Sequence, residues 1–233
     1  MNNIDIVVCY NDETLEKQME QSLLNDNENG ILSVNLIALD NRTGRFSSAA
    51  EAYNHALDHL CKAECIVFCH QDILFRSGSL ETIYDYCMKE KLTLWGAAGI
   101  EKRGRTYTAW ESQTCPKGWS HEVQTLDECL IAANREVFDS IRFDEIVCAG
   151  WHFYTVELSL QQGLLNRPVK VFNANVTHLS GGTMDKAFFE CEARVAKKYR
   201  GKVNLISYTN CWCWTNPFLF AVLRAYRIIR YKI

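Results

Sequence analysis

Short apolar runs in this chain alternate with segments whose apolar residues recur every three or four positions. Ile4 to Cys9 is a near-continuous apolar run that reads as a strand and stops at the turn Tyr10-Asn11-Asp12. Leu15, Met19 and Leu23 then form a helical stripe, which dissolves in the polar stretch from Asn25 to Gly30. Val34 to Leu39 is a second strand ending in Asp40-Asn41, and a loop with Arg42, Gly44 and Arg45 follows. Ser48, with Glu51 three residues on, has the pattern of a capping box. The helix it opens places Ala49, Ala52, Tyr53, Ala56, Leu57 and Leu60 on one face. Cys65 to Cys69 is a third strand, wholly apolar, that halts at His70-Gln71-Asp72. A helix from about Leu80 to Lys89 leads to Leu94 to Ile100, expected as a fourth buried strand.

Beyond residue 100 the pattern loosens. Residues 101–122 are polar and aromatic, which predicts a long loop or an irregular hairpin. Leu130 to Ala133 reads as a strand and Glu157 to Gln162 as the end of a helix. Val169 to Phe172 is a strand leading to Val176 to Gly182, and Ala187 to Tyr199 is a charged helix. Such alternation predicts right-handed crossovers and an α/β fold with a mostly parallel sheet. In the final stretch, residues 217–233, Leu219, Val222, Leu223, Tyr226, Ile229 and Ile233 share a helix face that also takes in Arg230. With Arg224, Arg227 and Lys232 nearby, this reads either as a helix on a membrane surface, Arg230 reaching toward headgroups, or as a terminal helix packed on the domain or a partner. The expected division is a domain over 1–210, with halves 1–100 and 101–210, and a basic, apolar tail over 211–233.

Composition narrows the classes. A chain of 233 residues with 48% hydrophobic content can bury a full core. Net charge is −3 and the isoelectric point about 6.1, so no global basic field favours nucleic acid. The opening residues run directly into a strand pattern and are not expected to be a signal peptide. Eleven cysteines include Cys9, Cys65 and Cys69 inside strand runs, where a thiol behaves as a small hydrophobe. They are expected to be reduced in a cytosolic protein. Cys211-Trp212-Cys213 has the wrong spacing for a redox or zinc motif and reads as aromatic-rich packing. No apolar run reaches the roughly 20 residues of a spanning helix.

The candidate chemistry lies at strand ends. His70 and Asp72 are two residues apart and so point the same way. Ligands in open α/β sheets collect beyond the carboxyl ends of strands. Two such groups converging there suit a divalent metal that holds a phosphate; the other reading is a polar strand-end loop. Tyr10-Asn11 and Asp40-Asn41 are the matching polar ends of the first two strands.

These residues, in this order, resemble a family 2 glycosyltransferase with the GT-A fold, over about residues 4 to 200. In that family the first strand ends in Tyr-Asn, matched by Tyr10-Asn11, and the second in a nucleoside-contacting Asp, matched by Asp40. A helix carrying an Asn follows, matched by Asn54, and His70-Gln71-Asp72 stands where the family has Asp-x-Asp. His-Gln-Asp is similar to a bacterial subgroup of capsule and cell-surface polysaccharide transferases, which Val123 to Cys129, Trp151 to Glu157 and His178 to Gly182 also resemble. The resemblance implies an inverting, hexosyltransferase-like enzyme that uses a nucleotide-diphosphate sugar, UDP most commonly. It implies a glycan acceptor, free or lipid-linked, and a cytoplasmic protein at or near the inner face of the plasma membrane. It implies Asp72 and His178 as ligands of Mn2+ or Mg2+, with His70 a third that favours manganese.

Tyr10, Asn11, Asp40, Asn41, Arg45, Asn54 and Gln71 would surround the nucleotide, although Asp40 also reads as a cap of the next turn and Asn54 as a brace of the loop below the site. Arg42 and Arg45 would neutralise diphosphate or belong to a solvated loop. The catalytic base falls to Glu157 or His152 by position, with Asp127 and Glu128 as the other acids. Trp110 and Trp119 would stack on the acceptor sugar or pack under their loop. A non-catalytic GT-A module that binds nucleotide or glycan in an assembly is the competing reading.

Overall fold

Fourteen strands and seven helices are seen in the computed structural model, which describes residues 2–102, 104–108, 116, 118–182, 184–209 and 211–231, the last by its backbone alone. The first half runs β1 (Asn3–Tyr10), α1 (Glu13–Asp26), β2 (Ser33–Asp40), α2 (Ala49–His59), β3 (Cys65–Cys69), β4 (Ile73–Phe75), α3 (Ser79–Lys89), β5 (Leu94–Gly96) and β6 (Ala98–Ile100). The second half runs β7 (Thr106–Thr108), β8 (Ser120–Glu122), β9 (Thr125–Leu126), β10 (Leu130–Asn134), α4 (Arg135–Phe138), α5 (Tyr154–Leu164), β11 (Val169–Phe172), β12 (Val176–His178), α6 (Lys186–Lys198), β13 (Leu205–Tyr208), β14 (Cys211–Trp214) and α7 (Pro217–Tyr231).

The central sheet has seven strands in the order β2-β1-β3-β10-β5-β11-β8. β2, β1 and β3 are parallel, and β11 is parallel to β5, while β10 pairs antiparallel with both β3 and β5. The expected α/β architecture with a mostly parallel sheet is therefore present. Period-two alternation sorts β3 between two layers of core. Ile66 and Phe68 face the layer built with α2, α5 and α6, and Cys65, Val67 and Cys69 face the layer built with α1 and α3.

Local chemistry explains the helix starts. Asp12 caps α1 by accepting from the Thr14 and Leu15 amides. The expected capping box at α2 is present but slipped: Ser48 accepts from Glu51, while the Glu51 carboxylate returns to the Ser47 amide at 2.7 Å.

Three expectations change. The run Leu94 to Ile100 breaks at Ala97 into β5, in the central sheet, and β6, in a three-stranded sheet with β7 and β9. The described part of residues 101–122 contains two strands, β7 and the central-sheet edge strand β8; Trp110 lies outside the described residues. The boundary expected at residue 210 falls within a hairpin, because β13 pairs with β14 from Leu205↔Trp214 to Tyr208↔Cys211. All ten described cysteines are free thiols. No described helix is long and apolar enough to cross a membrane.

Candidate active site

Parallel register sets Tyr10 opposite Asp40 and brings the ends of β1, β2 and β3 to one edge of the sheet. Gln71 ties two of these ends together. Its Oε1 accepts from the backbone amides of Asn11 and Asp12, each at 2.9 Å, and its Nε2 donates to Asn11 Oδ1 at 2.9 Å. Asn41 clasps the next loop, accepting from the Phe46 amide at 2.7 Å and donating to its carbonyl at 3.2 Å. Above these ends opens a cleft of about 400 Å³. Tyr10, Asn11, Asn41, His70, Gln71 and Asp72 line it, with Tyr53, Trp151, Tyr154 and Ser180.

One small ribbon completes the polar corner. β4 pairs antiparallel with β12, His178 opposite Ile73, and the Leu179 amide donates to the Asp72 carbonyl at 3.1 Å. His178 Nε2 consequently lies 3.3 Å from Asp72 Oδ1, with the two side chains only 9% and 7% exposed. The His70 and His178 rings are 5.5 Å apart, and one ligand atom from each of His70, Asp72 and His178 lies within 4.8 Å of the other two. Burial acts to raise the Asp72 carboxyl, but hydrogen bonds from His178 and Ser180 and the two imidazoles outweigh it and hold it well below the usual carboxylate range. Burial pushes His70 below its ordinary value against the pull of Asp127 and Asp72, so its ring is neutral.

Tyr154 fixes which nitrogen of His70 is basic. Its hydroxyl hydrogen goes to the Glu128 carbonyl at 3.1 Å. At its 3.0 Å contact with His70 Nε2, the ring N–H is therefore the donor and Nδ1 keeps its lone pair. Two imidazoles and an ionised carboxylate form a donor set that fits a divalent cation, Mn2+ better than Mg2+.

The other expected site residues divide. Asp40, at the end of β2, is held by Arg42 through two side-chain contacts to Oδ2, at 2.6 and 3.1 Å, and two more to Oδ1 from Arg42. Those bonds from Arg42 lower its pKa to about 2. Arg45 stacks over Phe46 and reaches His55 instead of the cleft. Asn54 does not reach the cleft either: its amide braces α2 to the loop at Phe143 and Glu145, at 2.9 and 2.7 Å.

Among the base candidates, Glu157 is fully buried inside α5, its carboxylate taken up by Lys198, Tyr199 and Gln161. A side chain so enclosed has no path to a substrate hydroxyl, so the expectation for Glu157 is corrected to a structural role. His152 faces Asp185 at 3.5 Å and packs edge-on to Phe188; it is not in the cleft lining, though its charge acts on His70. Asp127 is also outside the cleft lining but is half-buried and acts electrostatically on His70; it accepts from the Cys129 amide at 3.1 Å and from the Thr209 hydroxyl. Tyr154, Ser180 and Trp151 were not singled out as site residues in the sequence. Tyr154 and Ser180 orient the cluster through single hydroxyls, for which no spacing rule exists.

No family model matches the chain, and no curated protein matches it in sequence. Solved structures do match in shape. GalNAc-T7, solved with UDP, GalNAc and Mn2+, superposes with a TM-score of 0.56 at 10% identity, over 87% of this chain and 49% of its own. The catalytic domain of Drosophila beta1,4-galactosyltransferase 7 with xylobiose gives 0.56 at 15% identity, over 83% of this chain and 79% of its own. Staphylococcus aureus TarS gives 0.51 at 15% identity, over 87% of this chain and 40% of its own.

The fold is GT-A.

The chain spans about half the length of GalNAc-T7 and less of TarS. In this GT-A sheet, the His70–Asp72–His178 cluster occupies the carboxyl end of β3, where ligands of open α/β sheets collect.

Proposed function

We propose that this chain is a metal-dependent glycosyltransferase that moves a sugar from a nucleotide diphosphate, UDP first, to a cell-surface glycan acceptor of the capsule or lipopolysaccharide kind. The carrying observation is the convergence of His70, Asp72 and His178 at the carboxyl ends of β1 to β3, where His70 and Asp72 line the cleft and His178 backs them. Membership of family 2, inversion at the anomeric carbon and a lipid-linked acceptor at the inner face of the plasma membrane belong to the same reading.

A divalent cation held by the three side chains would act as a Lewis acid on the departing diphosphate. The protein's own residues prepare for it. Ser180 and His178 orient the Asp72 carboxylate, and Tyr154 turns the lone pair of His70 away from itself. Gln71 keeps the β1 and β3 ends in register, and Tyr10, Asn11 and Asn41 border the space for the nucleotide. Asp40 can meet a nucleoside only by sharing its carboxylate with Arg42. Asp127 takes the proton of the acceptor hydroxyl, its carboxylate aimed by the Cys129 amide and Thr209. Trp151, 43% exposed at the cleft, offers a face to a sugar ring.

Turnover of UDP-sugars with Mn2+ and lipid-linked acceptors tests the reading. Release of UDP that depends on both metal and acceptor is expected. Nucleotide binding without turnover of any donor would instead identify a non-catalytic GT-A module.

A further inference from the structure

Helix α7 is seated by a buried charge together with two apolar side chains, and most of its apolar face stays outside. Arg227 is 4% exposed and its guanidinium meets Glu192, itself 2% exposed, along with the Trp212 carbonyl at 2.7 Å and Cys211 Sγ at 2.9 Å. Tyr208 donates to the same Glu192 oxygen, and Phe220 and Leu223 pack on the core beside it. With Arg227 inward, the turns of the helix carry Phe218, Val222, Ala225 and Ile229 outward in one line. Phe218 is 75% exposed, Val222 57% and Ile229 81%, and Leu219 and Tyr226 widen the strip. The face expected from the sequence is thus rotated: Leu223 points in, while Val222 and Ile229 point out.

We infer that α7 lies flat on an anionic lipid bilayer, its outward apolar strip in the interface. Charge selects this occupant. Residues 217–233 carry, besides the buried and paired Arg227, three further basic residues and no acidic one, on a chain whose net charge is −3. Arg224 and Arg230 stand on the two flanks of the strip, between it and the protein, where long side chains reach headgroups while their neighbours enter the acyl boundary. A two-fold contact with a second copy would set one basic, acid-free helix against another. The adjoining hairpin adds an aromatic pair, Trp212 and Trp214, with rings 5.6 Å apart and Trp212 40% exposed, the residue type that concentrates at membrane–water boundaries. At 15 described residues, α7 suits surface attachment and not spanning. This docking needs neither metal nor sugar donor, so it stands or falls apart from the transfer reaction.

Sedimentation of the full chain with phosphatidylcholine vesicles, with and without phosphatidylglycerol, tests it. Binding is expected only when phosphatidylglycerol is present. Val222→Glu with Ile229→Glu, both at exposed positions, is expected to weaken binding by about a hundredfold or more, from lost apolar burial, with an unchanged thermal melt. Arg224→Gln is expected to weaken it by about fivefold, the effect of one cationic side chain near an anionic surface. Equal sedimentation of wild type and the double variant would overturn the inference. So would a wild-type dimer in light scattering that the double variant converts to monomer, with no vesicle binding by either.

Discussion

Glu128 and Glu157 are both acids inside the protein, and their neighbours give them different work. Glu157 is held by Lys198, which also pairs with Asp144 at 2.7 Å. Glu128 faces Asp127 and Cys191, its Oε1 accepts no hydrogen bond, and burial pushes its pKa well above the usual range despite the Phe153 and Tyr154 amides. In the unfolded chain this carboxyl ionises near pH 4.3, roughly the model-peptide value. The folded state keeps the proton, so above that pH it binds more protons than the unfolded state, and stability falls as pH rises. Glu128→Gln is therefore expected to raise the melting temperature at about pH 8 and to have little effect near pH 4; equal shifts at both would contradict the assignment. Asp127 and Glu157 separate in kinetics. Asp127→Asn is expected to lower kcat by about 10²- to 10⁴-fold with donor affinity little changed. Glu157→Gln, which breaks a buried ion pair, is expected to lower stability by roughly 3 kcal/mol and leave kcat of the folded fraction intact.

At the scale of elements, two close approaches shape the site side of the sheet. A Cβ on Gly99 would meet the Thr125 carbonyl oxygen at 2.7 Å, and one on Gly96 would meet the Leu126 side chain at 2.8 Å. These glycines let β9, and Asp127 just after it, lie against β5 and β6. Gly99→Ala pushes on backbone and is expected to cost about 1–3 kcal/mol. That corresponds to a fall of roughly 2–12 °C in calorimetry, at 2–4 °C per kcal/mol for a chain this size; an unchanged melt would show that β9 can move freely.

The strands legible in the sequence were those whose own side chains enter both core layers, such as β1 and β3. The split of Leu94 to Ile100 was not legible, because nothing within seven apolar residues says which sheet each half joins. The β4–β12 ribbon was equally hidden, since its partners lie about a hundred residues apart. His178 therefore reached the metal corner by resemblance, and its geometry comes from the Ile73 register. For the same reason Glu157 looked available: Lys198 is 41 residues away in sequence and 0 % of the Glu157 side chain is exposed.

For the whole molecule, the parallel sheet delivers three strand ends to one edge, the ribbon adds His178, and the second half sets Asp127 where its charge acts on His70. The central claim is that this corner holds a cation together with a diphosphate. Its most direct measurement is the thermal shift produced by UDP with and without Mn2+, in the wild type and in Asp72→Asn. At UDP about 100 times its dissociation constant, the wild type with Mn2+ should gain roughly 2.7 kcal/mol of stability, read as a rise of about 5–11 °C. Most of that gain should vanish without metal and in Asp72→Asn. A UDP-induced shift of the same size in Asp72→Asn with Mn2+, or in the wild type with chelator, would contradict the assignment of Asp72, His70 and His178 as the metal–diphosphate corner.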